Sequence, residues 1–357
     1  MMTSNGNSES MRYDALLLIS FGGPEGMDEV MPFLENVLHG RNVPRERMLE
    51  VAHHYEHFGG VSPINTQNRA LIAALQAELD AHGPRLPIYW GNRNWHPLLP
   101  DTMRRMAADG VRHALAFVTS AYSSYSGCRQ YREDVLRAQE AVGTDAPRIS
   151  LLRKFYNHPG FVGPNVEHVR AALEQIPEDR RAATRIAFTA HSIPSGMARG
   201  SMYQAQLEET CRLVAGALAH RHWRLVYQSR SGPPSQPWLE PDIGDYLREL
   251  KAEGVRDVVI APIGFISDHL EVLYDLDTEA RELCDEIDLN MVRAATVGTH
   301  PDFVRMIREL IVERLSDVPK RFAGLDGPSH DVCPVDCCLP GTGRPASSAA
   351  PSGAAAP

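Results

Sequence analysis

Several features that would place this chain in a large class of proteins are missing from it. No apolar stretch reaches the roughly 18 residues that a membrane-spanning helix needs, and no basic run interrupts a composition whose net charge is −9 over 357 residues. An acidic chain without a basic patch has no surface that attracts a phosphate backbone. We therefore expect neither a transmembrane segment nor a nucleic-acid partner.

Short signals are missing as well. Residues 1–10 are polar, without the basic and apolar regions of a secretion signal, so a cytoplasmic enzyme is the default expectation. The glycine-rich loop 21–26 has the wrong spacing for a dinucleotide fingerprint and contains Pro24 and Glu25, and no Walker sequence occurs. A nucleophile elbow of the type Gly-x-Ser-x-Gly is also absent at every predicted strand end, which disfavours a serine hydrolase.

The pattern that is present is an alternation of strands and helices from about Tyr13 to Asp317. Alternation of this kind predicts parallel sheets covered by helices on both faces. Eight strands are many for one such sheet, so we predict an α/β protein with two doubly wound domains, 13–176 and 177–322, and a cleft between them. A cysteine-containing extension, 323–340, would follow, flanked by disordered ends at 1–12 and 341–357. The predicted strands are 14–20, 87–91, 113–119, 148–152, 185–190, 224–229, 257–263 and 290–295, and the clearest predicted helices are 70–81, 131–141, 203–219 and 271–287.

Two segments place reactive side chains just after predicted strands. His191 ends the strand 185–190, and Glu271 follows the strand 257–263 within the segment 264–275. The carboxyl ends of parallel strands are where α/β sheets bind ligands. An imidazole and a carboxylate that face each other can hold a divalent cation or accept protons near neutral pH. An inert surface or structural role remains the alternative interpretation of His191.

Three carboxylates recur in the helix predicted after Gly264, at Glu271, Asp275 and Glu279. Spacings of four and eight residues place them on one helical face. Such a row is either a solvated acidic face or a path that carries cations in and protons out. The sequence alone leaves both interpretations open.

The chain resembles ferrochelatases, enzymes that insert ferrous iron into a porphyrin. The resemblance covers about residues 13–317 and depends on seven segments in the right order, which are 17–24, 58–64, 91–95, 190–194, 228–234, 237–242 and 264–275. It implies two Rossmann-like domains with a porphyrin cleft between them. It also implies a metal chelatase of the lyase class that works in haem biosynthesis, with ferrous iron as the substrate metal.

The resemblance also implies roles for individual residues. His191 would bind iron or accept the first pyrrole proton, Glu271 would be its partner, and Asp275 and Glu279 would form an exit path or secondary metal site. Phe21 stands where Firmicute-type members carry a tyrosine that can ligate product iron, and Leu38 replaces a propionate-contacting arginine. Residues that match propionate-contacting positions are Ser62, Tyr131, Ser123, Tyr55, His54 and Arg41.

Three of the six cysteines cluster near the carboxyl end, at Cys333, Cys337 and Cys338. In a cytoplasmic chain such clustering favours a metal or iron–sulfur site over disulfides. The segment resembles the extension that binds a [2Fe–2S] cluster in actinobacterial-type ferrochelatases. Cys128, expected on a loop, is the preferred fourth ligand, whereas Cys211 and Cys284 fall in helical patterns that suggest buried thiols. Zinc and unligated thiols remain alternatives.

The resemblance to actinobacterial-type members implies coproporphyrin III as the organic substrate and transient contacts with neighbouring haem-pathway enzymes. Two alternative enzymes are a protoporphyrin IX ferrochelatase and a chelatase that loads cobalt or nickel into a tetrapyrrole. A third possibility from a different class is a porphyrin carrier without turnover. A carrier has no need for both His191 and the acid series.

Overall fold

A computed structural model describes residues 13–40, 43–233 and 235–341. Its strands are short and apolar, and the central strand β1 is buried along its whole length, as expected for a parallel strand covered on both faces. The strands are β1 Ala15–Ser20, β2 Ile88–Asn92, β3 His113–Val118, β4 Arg148–Leu151, β5 Arg185–His191, β6 Trp223–Gln228, β7 Asp257–Ala261 and β8 Asn290–Arg293.

These strands form two parallel four-stranded sheets. The order is β2-β1-β3-β4 in the first sheet and β6-β5-β7-β8 in the second. In each sheet the second strand lies on one side of the first, and the third and fourth strands lie on the other side. The strand order therefore reverses between β1 and β3 and between β5 and β7, which are the topological switch points. The predicted α/β architecture with two doubly wound sheets is confirmed.

Helices connect the strands and cover both faces of each sheet. Capping residues fix some of their starts, as where the Asp242 carboxylate accepts a hydrogen bond from the Gly244 amide. The α-helices of the described residues are α1 Met27–Val37, α2 Arg45–Glu56, α3 Ile64–His82, α4 Leu99–Ala108, α5 Gln130–Val142, α6 Pro159–Glu174, α7 Glu178–Arg181, α8 Ser195–Arg199, α9 Tyr203–Ala217, α10 Ile243–Ala252, α11 Leu270–Val272, α12 Arg281–Glu286 and α13 Pro301–Leu315.

The apolar core joins the two sheets. One continuous cluster contains Phe117 of β3, Phe188 of β5 and Phe303 of α13. Separate clusters cover the outer face of each sheet, and a fourth, small cluster lies between α1 and α2 around Phe33. We call β1–β4 with their helices the first lobe and β5–β8 with theirs the second lobe. The shared cluster fixes the position of one lobe against the other.

Two local details differ from the predictions. The segment predicted as helical over 271–287 is helical over 270–286, but its middle, Leu273–Ala280, between α11 and α12, is π-helical. Cys128 lies not on a loop but in a π-helical turn, Tyr125–Arg129, that leads into α5. The wider π-helical turn occurs often at functional sites, and residue spacing alone does not distinguish it from an α-helix.

The connection between the sheets runs through α6 and the short α7, close to the predicted boundary at 177. The exact domain limits stay a prediction, because α6 packs against α9 and α13 as well as following β4. Within the described residues, every helix is too short or too polar to cross a membrane.

Candidate active site

Reactive side chains of the second lobe gather at the carboxyl ends of β5, β6 and β7. His191 ends β5 and pairs in register with Gln228, which ends β6. The loop after β7 approaches them closely because residue 264 is glycine. A Cβ atom at Gly264 would lie 2.6 Å from the Cβ atom of Ala190, so a side chain there would push the loop away from His191.

The imidazole of His191 is held in one tautomer. Its Nδ1 atom lies 2.5 Å from the carbonyl oxygen of Ser192, and since a carbonyl can only accept, Nδ1 must carry the proton. In the neutral ring Nε2 therefore presents its lone pair. The buried hydroxyl of Tyr203 donates to the His191 carbonyl at 3.0 Å and fixes the backbone at the same residue.

His191 and Glu271 face each other, as the sequence predicts. The distance from Nε2 of His191 to Oε2 of Glu271 is 3.8 Å. This gap is shorter than two bonds of about 2.1 Å, the usual length for nitrogen and oxygen ligands of a first-row cation. One divalent cation, or one proton, can therefore lie between the two atoms without moving either side chain far. A third of the His191 side chain and half of that of Glu271 remain exposed.

Asp275 lies behind this pair and is more deeply buried. Its Oδ2 atom accepts hydrogen bonds from the Ser229 hydroxyl and from Nε2 of Gln228 at 3.1 Å. Burial raises the pKa of Asp275 to about 7; the neighbouring Glu271 adds to the rise, while the bond from Ser229 opposes it. A carboxyl group that titrates near neutrality can take up and release protons at working pH.

Glu279 completes the acid series at the surface. Burial raises its pKa, and the nearby Asp242 and Glu282 carboxylates raise it further. Asp275 interacts electrostatically with both Glu271 and Glu279, so the three acids form a connected row. The row is not a uniformly solvated face, because its middle member is half-buried while both ends are exposed.

Helix α2 of the first lobe lies opposite the acid series. The His54 ring stacks on Tyr274 with 3.9 Å between ring centres, and burial, together with the Glu271 carboxylate, raises the pKa of Tyr55. His54 and Tyr55 thus lie beside the acid series, and their contact with substrate carboxylates stays a prediction. Arg41 lies outside the described residues.

The other three predicted propionate contacts are buried. Ser62 is covered beside Gly23. The hydroxyl of Ser123 accepts a hydrogen bond from Gln206 of α9 at 3.1 Å. Tyr131 is covered by a guanidinium 4.5 Å from its ring centre. Their roles stay predictions, and each would need a local opening to reach a substrate carboxylate.

Sequence reasoning assigned no role to two residues of the site. The guanidinium over Tyr131 belongs to Arg93, which also lies 5.8 Å from the ring centre of Phe21 and pairs with Asp134. His269 packs edge-on against Phe265. Burial lowers its pKa, opposed by the Glu271 carboxylate. His269 could have been noticed because it stands two residues before Glu271.

The four cysteines predicted to bind a cluster converge on the first lobe. Sγ of Cys128 lies 3.9 Å from Sγ of Cys333, and the sulfurs of Cys337 and Cys338 are 3.5 Å apart. Hydrogen bonds from Cys333 and Cys338 lower the pKa of the Cys128 thiol, and the same bonds raise those of its two donors. Thiols that compete for shared protons in this way form a donor set in which a metal can replace the protons.

Polar groups secure the extension around this thiol centre, by which we mean Cys128, Cys333, Cys337 and Cys338. Arg129 donates to the carbonyls of Val335 and Cys337 at 2.7 and 3.2 Å. A histidine that the sequence analysis did not single out, His330, has a ring nitrogen that lies, with the sulfurs of Cys333 and Cys337, in a group no wider than 4.8 Å. The other two cysteines, Cys211 in α9 and Cys284 in α12, are buried as predicted.

Comparison with known proteins agrees with this geometry. The family model described as Ferrochelatase matches residues 13–315. A ferrochelatase of Rhodopirellula baltica is 59% identical over 95% of this chain and 97% of its own length. A coproporphyrin III ferrochelatase of Streptomyces griseus is 53% identical over 95% and 97%, and one of Nocardia farcinica is 50% identical over 92% and 97%.

Solved structures show the same fold at low identity. The sirohydrochlorin chelatase SirB of Bacillus subtilis, in complex with cobalt, aligns with a TM-score of 0.51 at 11% identity. That alignment covers 85% of this chain and 96% of SirB. A second SirB structure, with Fe³⁺, gives a TM-score of 0.52 at 12% identity over 86% and 97%. At these identities the likeness concerns the fold alone.

Proposed function

The chain belongs to the ferrochelatase family, and we propose that it inserts ferrous iron into coproporphyrin III during haem biosynthesis. One observation carries the proposal, which is the 3.8 Å gap between Nε2 of His191 and Oε2 of Glu271. The relatives named coproporphyrin III ferrochelatases, about half identical over nearly the whole chain, support the same substrate. The predicted cytoplasmic location and the predicted contacts with neighbouring pathway enzymes remain predictions.

The reaction requires two proton acceptors. A metal-free porphyrin carries two pyrrole N–H protons, and both leave as Fe²⁺ becomes bound to the four nitrogens, so the macrocycle gains one iron and loses two protons. The free Nε2 lone pair of His191 can accept a proton while the Ser192 carbonyl keeps the ring oriented. The Glu271 carboxylate stabilises the imidazolium that results.

The acid series gives the protons a way out. Gln228 orients the inner part of the row, since its side-chain amide donates to Oδ2 of Asp275 at 3.1 Å and to the backbone carbonyl of Glu271 at 3.4 Å. With a pKa of about 7, Asp275 is half protonated at neutral pH and can both receive and release. Glu279 then delivers the proton to solvent, which leaves the inner pair ready for the next turnover.

The substrate carboxylates need donors on the other side of the site. We assign this role to His54 and Tyr55 of α2; the stack of His54 on Tyr274 and the interaction of Tyr55 with Glu271 support the assignment. Phe21 carries no oxygen, so a phenolate ligand to product iron from that position is excluded. Arg93 lies against the rings of Phe21 and Tyr131, but its side chain is buried and its charge is balanced by Asp134, so we assign it to holding this wall in place rather than to binding substrate.

An anaerobic iron-insertion assay tests the proposal. Wild-type protein should form iron coproporphyrin from Fe²⁺ and coproporphyrin III, and His191→Ala should lower kcat by at least 100-fold, as expected for loss of a general base. Glu271→Gln should lower kcat while leaving porphyrin binding, measured by fluorescence quenching, close to that of the wild type. Glu286→Gln at the end of α12 serves as a control that keeps full activity.

The same assay separates the alternatives. Faster turnover of protoporphyrin IX than of coproporphyrin III would contradict the substrate, and preference for cobalt or nickel over Fe²⁺ would contradict the metal. A protein that binds porphyrin tightly and leaves it metal-free would be a carrier, and the proposed reaction would then be wrong.

We also propose that the thiol centre holds a [2Fe–2S] cluster. Such a cluster takes four thiolates, and the structure supplies four cysteine sulfurs, two pairs of which are 3.9 and 3.5 Å apart. When bound, it would supply one-electron redox chemistry and a link between the extension and the first lobe. The donor set also fits zinc, and His330 is a further nitrogen ligand within reach.

Analysis of anaerobically purified protein decides between these metals. We expect two irons and two sulfides per chain, with visible absorbance that disappears in Cys128→Ser and persists in the control Cys284→Ser. One zinc and no sulfide would contradict the cluster and favour the zinc interpretation. Protein that contains neither metal would contradict the proposal that the thiol centre binds a metal.

A further inference from the structure

Lys154 is a buried cation that the reaction described above does not use. Only 8% of the residue is exposed, and within residues 13–40, 43–233 and 235–341 no carboxylate lies within ion-pair distance of it. Burial of an unbalanced ammonium group is costly. The chain has 33 arginines and 3 lysines, so lysine is a rare choice of cation in this protein.

The hydrogen bonds of Lys154 hold both ends of one loop. Its Nζ atom donates to the carbonyl of Ser120 at 2.9 Å and to that of Gly127 at 2.6 Å. An ammonium group has three N–H donors, and these two carbonyls take two of them. The compact group fits two converging carbonyls better than a planar guanidinium would.

The loop between those carbonyls, 120–127, connects the two lobes. The Tyr122 hydroxyl donates to the Ile263 carbonyl at 2.9 Å just after β7. The Ser123 amide donates to Gln206 of α9 at 2.7 Å. The loop thus carries one predicted substrate contact, Ser123, and touches the element that leads to Glu271.

The negative charge that would balance Lys154 lies in the thiol centre, on the side away from the loop 120–127. The ammonium interacts electrostatically with Cys128, Cys333 and Cys338, three members of the thiol centre. Four thiolates carry four negative charges, of which two remain after an Fe₂S₂ or Zn²⁺ core of charge +2 is bound. Arg132 is a second cation beside the centre, since it interacts electrostatically with Cys128 and Cys333 and donates to the Cys333 carbonyl at 3.3 Å. Arg129 is paired with Glu133 at 3.0 Å, so Lys154 shares the charge balance with Arg132 and is the more deeply buried of the two.

We propose that Lys154 is a positioning residue that couples the thiol centre to the substrate-side loop 120–127. Its charge balances the metal-bound thiolates, and its donors keep the two ends of the loop together. The inference rests on the proposed metal centre. Loss of the metal then leaves an unbalanced ammonium and loosens the loop that carries Ser123.

The first experiment measures how fast the loaded protein loses its centre to a chelator. Lys154→Gln keeps two donors and removes the charge, and it should release metal about tenfold faster or more, because the cation that balances the metal-bound thiolates is gone. Lys154→Arg keeps the charge and should release metal more slowly than Lys154→Gln, although its planar guanidinium fits the two carbonyls less well than the ammonium does. Lys251→Gln, on α10 and bonded to Asp288, should behave as the wild type.

The second experiment uses wild-type protein alone and so does not depend on whether a variant folds. Hydrogen exchange of the amides of residues 120–128 should be faster in metal-stripped than in loaded protein, while exchange in β1 and β3 stays unchanged. Equal exchange in both forms would overturn the proposal, as would equal metal-release rates in wild type and Lys154→Gln.

These outcomes are distinct from failure of the proposed function. Wild-type protein without bound metal contradicts the thiol centre itself. Wild-type protein that holds its centre and does not insert iron contradicts the reaction. If the wild type holds its metal and inserts iron, and Lys154→Gln releases metal at the same rate, only the role proposed for Lys154 is wrong.

Discussion

Replacement of Asp275 by asparagine should make the protein more stable at alkaline pH and less active. Both hydrogen bonds, from Ser229 and Gln228, end on the same carboxylate oxygen, so an asparagine carbonyl at that position keeps both. What the substitution removes is the buried charge. A pKa raised from 3.8 to about 7 corresponds to about 4 kcal/mol, at 1.36 kcal/mol for each tenfold change in proton affinity.

The sign follows from proton binding. Between pH 4 and pH 7 the native carboxyl binds a proton that the unfolded one has lost, so wild-type stability falls as the pH rises through this window. Above pH 7 the native carboxylate is charged and the full free-energy cost of its burial is present. Below pH 4 the carboxyl is neutral in both states and this cost is absent. The asparagine variant lacks the cost at every pH, so its advantage should grow from near zero at pH 4 to at most about 4 kcal/mol at pH 8.

Thermal unfolding across pH 4–8 measures this difference. An unfolding entropy of about 2.1 cal/mol/K per residue gives about 0.7 kcal/mol/K for 357 residues, so the difference in Tm at pH 8 should be about 5 °C. Asp245→Asn, on the exposed side of α10, should show little change. A difference in Tm that does not vary with pH, or an asparagine variant that is less stable at pH 8, would refute the reasoning.

Two further predictions concern the same site. Ser229→Ala removes a hydrogen bond that lowers the pKa of Asp275, so the inflection of the pH–rate profile that reports Asp275 should move to higher pH; an unchanged or lower inflection would count against the assignment. Gly264→Ala places a Cβ atom 2.6 Å from that of Ala190 and should destabilise the protein by about 1–3 kcal/mol in urea unfolding. Gly216→Ala, where nothing lies within 4 Å of the added atom, should not destabilise, and equal effects of the two glycine substitutions would contradict the close packing.

The strands and the central pair of the site could be predicted because their signals are local. Each strand is a short apolar run between turns, and the predicted limits lie within two residues of those observed. His191 and Glu271 follow from the rule that parallel strands bring their carboxyl ends together. The resemblance to a known family added their roles, which the pattern alone left open.

The rest depended on information that the local sequence does not carry. The π-helical stretch around Asp275 keeps the acids on one side, so a spacing of four residues fits either helix type. The roles of Lys154 and Arg93 depend on partners distant in the chain, such as Ser120 for the first. The same is true of Ser123, whose hydroxyl accepts a hydrogen bond from the distant Gln206; its predicted contact with substrate stays a prediction.

The small apolar cluster between α1 and α2 is separate from the core that joins the sheets. Hydrogen bonds still tie this pair of helices to the loop after β2, since Asn36 donates to the Asn94 carbonyl at 2.7 Å and the Trp95 indole donates to the Glu29 carboxylate at 2.6 Å. Toward the second lobe, α2 makes the His54–Tyr274 stack, and an aromatic pair contributes about 0.5–1.5 kcal/mol. Loss of this stack therefore costs little, and it leaves unchanged the gap between His191 and Glu271, which lies wholly within the second lobe.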